Sequence, residues 1–265
     1  MWDFKDKVVV ITGATSGIGR ALALQMAAPN VHLVLAARRL DELSNIANEC
    51  SLKGAICTPL FVDMANPTAI SAFVDAIKNK YKIVDILINN AGISQRSHAE
   101  MTPIEVDRQI MEVNFFGQVA LTKALWPLIN ESKKANIVLI SSVVGSFGFP
   151  QRSAYSASKH ALEGFFESWM MEKTNDKVHF TIVAPGRINT NISYSALKAD
   201  GTAHQLLDKG QENGITPENC ARKIINGFTR NKRKVYIAKQ ELVLVALRKC
   251  VPFLFFKLVK RLKLI

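Results

Sequence analysis

The chain has 265 residues, 48% of them hydrophobic and 21% charged, which fits one large folded domain and argues against a disordered protein. The formal net charge is +12, but eleven Lys and Arg against one acid lie between residues 229 and 265, so the basicity belongs to the C-terminal end. A nucleic-acid-binding function for the whole chain therefore has little support, and we expect no nucleic-acid partner.

The cysteines, the histidines and the lengths of the apolar runs limit the class of protein further. The four cysteines show no close pairing and no metal-ligand spacing, as is typical of reduced residues in an intracellular protein. The five histidines form no HxxH or HExxH pattern, so we predict no metal site. We expect no signal peptide, and no window reaches the roughly 18 consecutive apolar residues of a transmembrane helix. These features predict an intracellular, cytoplasmic protein.

Short apolar, β-branched runs alternate with helical segments along most of the chain. This alternation predicts an α/β fold with a doubly wound parallel sheet of about seven strands, Rossmann-like, in a single domain at residues 1–238. Residues 239–265 would form a basic, amphipathic C-terminal tail. The predicted strands are Val8–Ile11, Val31–Ala36, Ala55–Val62, Val84–Ile88, Asn136–Ile140 and Val178–Val183. The predicted helices are Arg20–Ala27, Leu40–Cys50, Pro67–Lys80, Pro103–Asn130 and one from Tyr155 to about Lys173.

A glycine-rich turn joins the first predicted strand to the first helix. It reads Thr12-Gly13-Ala14-Thr15-Ser16-Gly17-Ile18-Gly19. Backbone N–H groups of such a turn and the N-terminus of the next helix can receive a pyrophosphate, and glycine is needed where a Cβ would hold the phosphates away. The alternative is an ordinary loop, but the strand before it and the helix after it favour dinucleotide binding.

Two arginines follow the second predicted strand. Arg38 and Arg39 come directly after Ala37, in the region where an acidic residue would bind the ribose 2′-hydroxyl of NAD. An arginine there suits a 2′-phosphate instead, so the sequence favours NADP(H) over NAD(H). The alternative is that both arginines only solvate the end of the strand.

A tyrosine and a lysine lie four residues apart on a predicted helix. Tyr155 and Lys159 would share one helix face, and an ammonium beside a phenol favours the phenolate, so the pair can move a proton. Ser142 follows the fifth predicted strand and would bring a hydroxyl to the edge of the sheet where this helix begins. The pair alone is weak evidence, because surface helices often carry Tyr and Lys at this spacing. Asn114, if buried, is either a structural polar contact or a member of a proton relay.

Together these motifs resemble those of the classical short-chain dehydrogenase/reductase family over roughly residues 7–237. Their joint occurrence at these spacings is far more specific than any one of them. In chain order the motifs are Thr12-Gly13-xxx-Gly17-Ile18-Gly19, Asp63, Asn89-Asn90-Ala91-Gly92, Asn114, Ser142, Tyr155-xxx-Lys159 and Pro185-Gly186-xxx-Thr190.

The resemblance implies a hydride transfer between a nicotinamide and a carbonyl or secondary alcohol. Tyr155 would be the general acid/base, Lys159 would lower its pKa and hold the nicotinamide ribose, and Ser142 would polarise the substrate oxygen. Asn114 would anchor a water that links Lys159 to solvent. The residues expected to bind the cofactor are Gly13, Thr15, Ser16, Gly17, Ile18, Gly19, Arg38, Arg39, Asp63, Met64, Asn90, Ala91, Gly92, Tyr155, Lys159, Pro185, Gly186, Ile188 and Thr190.

The resemblance also has limits. The glycine-rich turn carries Thr15-Ser16 where many NADP-preferring members have a basic residue, so the cofactor preference depends on Arg38, Arg39 and the missing acid. A homodimer or homotetramer through the helices of Asn114 and Tyr155 is implied. A dinucleotide-binding scaffold or sensor without turnover is the alternative, although such a protein is expected to have lost Tyr155, Lys159 or Ser142, and all three are present. A nucleotide-sugar epimerase or dehydratase usually needs a larger C-terminal region.

The segments expected to frame the substrate pocket are residues 93–96, 143–150 and 191–214. Their aromatic and aliphatic residues favour an apolar, lipid- or steroid-like carbonyl or alcohol, and residues 193–214 suit either a mobile lid or a plain surface loop. The tail from residue 242 mixes apolar side chains with several cations and no acid. That composition favours an anionic membrane surface. The alternatives are packing on a partner subunit and covering the pocket entrance.

Overall fold

The computed structural model describes residues 4–172 and 175–259. Seven strands and ten helices occur within these residues. The strands are β1 Val8–Thr12, β2 His32–Ala37, β3 Ile56–Phe61, β4 Ile86–Asn89, β5 Ala135–Ile140, β6 Val178–Pro185 and β7 Lys234–Ile237. The helices are α1 Gly17–Met26, α2 Leu40–Ser51, α3 Pro67–Lys80, α4 Ile104–Met111, α5 Gly117–Asn130, α6 Ser153–Met171, α7 Lys209–Glu212, α8 Pro217–Thr229, α9 Glu241–Cys250 and α10 Pro252–Val259.

All seven strands pair in parallel, in the order β3-β2-β1-β4-β5-β6-β7. The strand order reverses between β1 and β4, and open α/β sheets bind ligands at the carboxyl ends of the strands beside such a switch point. The predicted doubly wound α/β fold is confirmed. The fold therefore places the glycine-rich turn, the loop after β4 and the end of β5 at one edge.

The sheet is buried on both faces, which explains why its strands are apolar runs rather than alternating ones. Val9 and Ile11 of β1 belong to a core with side chains of α1, α2 and α8, whereas Val8 and Val10 belong to a second core with α3, α5 and α6. Each strand therefore contributes alternate side chains to the two cores.

The helical segment predicted over Pro103–Asn130 occurs at residues 104–130, but it is not α-helical throughout. Between α4 and α5 the backbone widens into one π-helical turn, Glu112–Phe116, which contains Asn114. The next residue, Gly117, passes so close to Met64 that an added Cβ would lie 2.1 Å from the Met64 carbonyl oxygen. A π turn of this kind aims one side chain differently from a regular helix and is frequent at functional sites.

The C-terminal tail folds back towards the carboxyl end of β5. Val245 of α9 and Phe255 of α10 are buried in a small core with Phe147 and Tyr155. The rings of Phe147 and Phe255 lie 5.3 Å apart between centroids. Residues 260–265 of the predicted tail lie outside the described residues. No helix in the described ranges is long and apolar enough to cross a bilayer.

Candidate active site

Three of the four predicted catalytic side chains meet just beyond β5. Ser142 follows the strand and caps a short 3₁₀ turn, Val143–Gly145, with its Oγ accepting a hydrogen bond from the N–H of Val144 at 3.4 Å. Tyr155 lies in the first turn of α6, and Lys159 lies one turn later with its Nζ 5.9 Å from the centre of the tyrosine ring. All three are buried. The predicted helical spacing therefore brings phenol and ammonium together.

Burial sets the electrostatics of Tyr155. Desolvation raises the pKa of its phenol, and this effect outweighs the lowering by the charge of Arg152, the hydrogen bond with Ser142 and the charge of Arg96. We expected from the sequence that Lys159 would give this tyrosine a lowered pKa. The net direction is the opposite, because the phenol loses its water.

The same burial acts on Lys159 in the other direction. Desolvation lowers the pKa of its ammonium to about 8, and the nearby charge of Glu163 opposes this shift. Its Nζ donates to the carbonyl oxygen of Ile140 at 2.8 Å. The lysine is therefore held at the end of β5, and its proton can be released at a mildly alkaline pH.

Asn114 is fully buried and joins the loop after β4 to α6. Its Nδ2 donates to the Ile93 carbonyl at 2.9 Å and to Ser158 Oγ at 3.0 Å, and its Oδ1 accepts from the Ile93 N–H at 2.8 Å. Ser158 directly precedes Lys159. Asn114 is thus a structural polar contact that fixes the lysine's surroundings, while its role in a water relay stays a prediction.

The glycine-rich turn has the geometry of a phosphate cradle. Gly13 and Gly17 have positive φ angles of 66° and 52°, and a Cβ on Gly19 would lie 2.2 Å from the Gly13 carbonyl oxygen. Ser16 begins α1 without a side-chain hydrogen bond to the helix, and the first turn contains no acid. Because the glycines have no side chains to cover the backbone and the helix N-terminus faces the turn, these residues fit a dinucleotide pyrophosphate.

The two arginines after β2 differ in their contacts. Arg39 pairs with Glu42 at 3.0 Å and donates to Thr15 Oγ1 at 3.2 Å, so it leans towards the glycine-rich turn. Arg38 is exposed beside it. Both therefore lie next to the strand end where an adenosine ribose binds in this type of fold.

The remaining residues predicted on the adenosine side hold strand ends together. The Asn90 side chain donates to the carbonyl oxygens of Thr12 at 2.9 Å and Gly13 at 3.2 Å. The N–H groups of Asn90 and Ala91 both donate to Thr12 Oγ1 at 3.0 Å. After β3, Asp63 Oδ1 accepts from the Ala65 N–H at 3.0 Å. Met64 is buried.

The loop after β6 is only partly near this cradle. Thr190 approaches it, since a Cβ on Gly17 would lie 3.0 Å from Thr190 Cγ2. Gly186 instead abuts Ala238, and Ile188 is buried in the core on the α1 side. Pro185 ends β6 and accepts a hydrogen bond from Ser142 Oγ at 3.4 Å. Gly92 lies by the lysine, with a hypothetical Cβ 3.6 Å from Lys159 Nζ.

Some functional contacts carried no sequence signal. Glu163 accepts from Ser141 Oγ and pairs with Lys234 Nζ, both at 2.6 Å, and so fixes the turn after β5. Another such contact is an ion cluster of Arg96, Arg152 and Asp208. Serines and charged residues are common on any surface, so only the fold reveals these pairings. Within the described ranges, no three His, Cys, Asp or Glu side chains group as metal ligands.

Comparison with known proteins decides the family. A profile described as short chain dehydrogenase matches residues 7–200. This chain is a short-chain dehydrogenase/reductase. It is 40% identical over 259 residues to the mouse (Mus musculus) dehydrogenase/reductase SDR family member 7B, covering 96% of this chain and 80% of that protein. The predicted resemblance is confirmed, and with it an oxidoreductase of a family that binds NAD or NADP.

Solved structures of this family share its fold. A short-chain dehydrogenase/reductase from Burkholderia phymatum in complex with NAD has a TM-score of 0.84 at 23% identity, with 96% of each chain covered. An alcohol dehydrogenase from Thermococcus sibiricus complexed with 5-hydroxy-NADP has a TM-score of 0.75 at 23% identity, covering 88% of this chain and 96% of that one. The fold is therefore compatible with either dinucleotide.

Proposed function

We propose that this protein is an NADP(H)-dependent oxidoreductase that interconverts an apolar carbonyl compound and its secondary alcohol. The observation that carries the proposal is the burial of Tyr155, Lys159 and Ser142 together at the carboxyl edge of the sheet, on the same edge as the glycine-rich turn. A bound nicotinamide cofactor would supply or accept the hydride.

The proton is the protein's own contribution to the reaction. Because the pKa of Tyr155 is raised, the phenol is protonated at neutral pH and can donate to the oxygen of a carbonyl as the hydride arrives. Ser142 would hydrogen-bond the same oxygen and stabilise its developing charge. In the reverse direction the phenolate would accept the proton of an alcohol.

Lys159 would bind the nicotinamide ribose and return a proton to Tyr155. The pKa of about 8 allows its ammonium to release and regain a proton near physiological pH. We also propose that Asn114 anchors a water leading to solvent, which its position beside Ser158 and Ile93 supports.

The preference for NADP(H) is supported by Arg38 and Arg39 at the end of β2, where no acid stands to bind a ribose 2′-hydroxyl. Asp63, Met64, Asn90 and Ala91 would complete the adenosine side. Kinetic selectivity for NADPH over NADH should fall about tenfold or more in Arg38→Gln, by loss of a charge-assisted hydrogen bond. A wild-type enzyme that prefers NADH would contradict this assignment.

An apolar substrate is supported by the small core around Tyr155. Val144, Phe147 and Phe255 belong with Tyr155 to one small buried apolar cluster. Apolar surroundings of the catalytic tyrosine favour a lipid- or steroid-like carbonyl over a small polar one.

The experiment that tests the function is a screen of carbonyls and alcohols with NADPH and NADP⁺, using Tyr155→Phe as the control. Turnover of apolar ketones that Tyr155→Phe abolishes would support the proposal. Dinucleotide binding without turnover of any compound would favour the sensor alternative.

We also propose that the tail, residues 239–265, which follows the domain at 1–238 and packs on it through Val245 and Phe255, presents its outer side to an anionic membrane surface. On its outer side Phe253 is 76% exposed, Val243 59% and Phe256 54%. The Arg248 guanidinium lies 5.5 Å from the Phe256 ring centre. Exposed apolar side chains among cations suit a lipid interface. An intracellular, cytoplasmic location is supported by four free cysteines.

Surface variants test the tail better than truncation, because truncation would also remove Phe255 from its place near Tyr155. The full chain should co-sediment with vesicles containing phosphatidylserine, and Phe253→Ser with Phe256→Ser should weaken this binding. Equal, negligible binding by both proteins would refute it. Concentration-dependent self-association of the wild type alone would indicate a second copy as the partner.

A homodimer or homotetramer through α4, α5 and α6 is a further proposal. Phe116 is 50% exposed beside α5, and Met171 is 74% exposed at the end of α6. Light scattering after size exclusion should give two or four copies for the wild type and a smaller assembly for Phe116→Asp. A monomeric wild type would contradict this assembly.

A further inference from the structure

Three charged side chains meet beside the catalytic tyrosine and have no part in the mechanism above. Arg96 lies in the loop after β4, Arg152 precedes the first turn of α6, and Asp208 precedes α7. The Asp208 carboxylate forms a close ion pair with Arg96, and it accepts from Arg152 Nη2 at 3.0 Å. We call these three residues the Arg96–Asp208–Arg152 cluster.

The cluster carries more positive than negative charge. Two guanidiniums share one carboxylate, and the Arg96 side chain is only 6% exposed. The other hydrogen bonds of Arg96 go to neutral oxygens, Ser94 Oγ at 3.1 Å and the Gln95 carbonyl at 2.6 Å. A buried positive charge without a full counter-charge is unfavourable, so this place favours a second anion.

The positive charges of the two arginines disfavour each other, and this adds to the effect of burial in lowering the pKa of Arg152. Desolvation lowers the pKa of Arg152 to about 10, with the charge of Arg96 as the next cause. Both charges also act on Tyr155, whose pKa they lower against the effect of burial. Arg152 is the N-cap residue of α6, three positions before Tyr155, so the cluster lies within about one helical turn of the tyrosine and one substrate molecule can span both.

Asp208 comes from the segment expected to act as a lid, residues 191–214. Next to it, Leu206 is 64% exposed and Leu207 51% exposed, so this stretch is not anchored by its own apolar side chains. Near Leu197 the segment is attached by apolar packing on Val106, Ile110 and Ala154 and by the backbone hydrogen bonds of Leu197, at 2.9 Å to Ser94 and 2.8 Å from Arg96. The carboxylate thus directly follows two exposed leucines, at a distance in the chain from the packed part of the segment.

We propose that Arg96 and Arg152 bind an anionic group, carboxylate or phosphate, on the carbonyl substrate, and that the Asp208 carboxylate holds this place until the substrate anion replaces it. This inference rests on the proposed function and narrows its substrate class. Because Tyr155 belongs to an apolar cluster with Val144, Phe147 and Phe255, the substrate is an amphiphile: an apolar ketone or aldehyde with an acidic group. Guanidinium forks match both anions, by paired hydrogen bonds.

Matched substrates test the proposal. The kcat/KM of a long-chain oxo acid is compared with that of its methyl ester, and that of an oxo-alkyl phosphate monoester with its dimethyl ester. The wild type should prefer each anion over its neutral partner by about tenfold or more. The larger of the two ratios shows whether the site prefers a carboxylate or a phosphate. Arg96→Gln and Arg152→Gln should bring both ratios close to one.

The matched control is Arg222→Gln, because Arg222 is exposed on α8 and contacts Asn219. This variant should retain the wild-type ratios. Ratios near one in the wild type, or ratios that Arg96→Gln and Arg152→Gln leave unchanged, would overturn the proposal. Failure of the proposed function would look different, since no carbonyl of any charge would then be turned over.

A second readout needs no turnover. Asp208→Asn leaves both guanidiniums without their carboxylate, so 50 mM inorganic phosphate should raise its melting temperature more than chloride at equal ionic strength. The double variant Asp208→Asn with Arg96→Gln should lose most of this phosphate effect. An equal response of both variants to phosphate would overturn anion binding at the cluster.

Discussion

The proposed cofactor side and the proposed substrate side are both built from residues far apart in the sequence, yet individual residue roles could be predicted only for the first, and for the second the sequence indicated no more than the segments that frame it. Asn90 donates to Thr12, 78 positions earlier, and Arg96 pairs with Asp208, 112 positions later. On the cofactor side the close approach of backbone to ligand restricts which residue types are allowed. On the substrate side, charged and apolar residues of common types are brought together only by the fold. A steric restriction on residue type therefore leaves a sequence motif, whereas contact between common residue types does not.

The largest effect that tests this contrast is expected at Gly19. Gly19→Ala would place a Cβ 2.2 Å from the Gly13 carbonyl oxygen, and backbone cannot yield as a flexible side chain does. We expect NADPH affinity, measured by fluorescence titration, to fall on the order of 100-fold or more, about 3 kcal/mol. Gly148→Ala is the control, because its Cβ would meet nothing within 4 Å. Equal affinities of the two variants would show that the turn tolerates side chains.

On the substrate side, Phe255 tests whether α10 belongs to the folded site. Phe255 is 1% exposed and packs on Phe147, so Phe255→Ala should lower the free energy of unfolding by about 3 kcal/mol and lower kcat/KM for apolar carbonyls. Its neighbour Phe256 is 54% exposed, so Phe256→Ala should change stability by about 0.5 kcal/mol or less. Chemical denaturation of both variants measures the difference. Similar losses would argue against the packing of α10 on the active site.

A pH-dependent effect is expected at Lys159, where the two sides meet. Its pKa falls from 10.5 to about 8 on folding, so between these values the unfolded chain holds a proton that the native lysine has released. Stability from this group therefore increases as pH rises through 8, by about 2 kcal/mol between pH 7 and 9.5. Comparing the urea unfolding of wild type and Lys159→Met at both pH values isolates the contribution of Lys159 to the free energy of unfolding. A difference between the two proteins that does not change with pH would contradict a depressed pKa.

The smallest effect is expected away from both sides, at Gly164. This glycine lies on the exposed face of α6, and an added Cβ would meet nothing within 4 Å. Gly164→Ala should stabilise the protein by about 0.5–1 kcal/mol without altering kcat, because alanine loses less backbone entropy in a helix. A loss of stability in thermal melts would indicate that α6 is covered there, as the proposed oligomer interface would require.

Much of the fold followed from the sequence because buried parallel strands are short apolar runs, and all six predicted strands occur. The π turn at Glu112–Phe116 did not follow, since the apolar spacing of a helix does not show a local widening, and the close approach of Gly117 to Met64 beside it involves a distant part of the chain. The direction of the Tyr155 pKa was also missed. A Tyr-xxx-Lys spacing shows a neighbouring charge, but it does not show how much water the phenol has lost.

The most direct test of the central claim is the single-turnover rate of hydride transfer from NADPH to the best carbonyl of the screen, in wild type and Tyr155→Phe. The account predicts a rate lower by about 10²- to 10⁴-fold in Tyr155→Phe, because the phenol donates the proton to the substrate oxygen. NADPH titration of both proteins would separate loss of chemistry from loss of cofactor. A rate in Tyr155→Phe equal to that of the wild type would contradict the claim that Tyr155 is the proton donor.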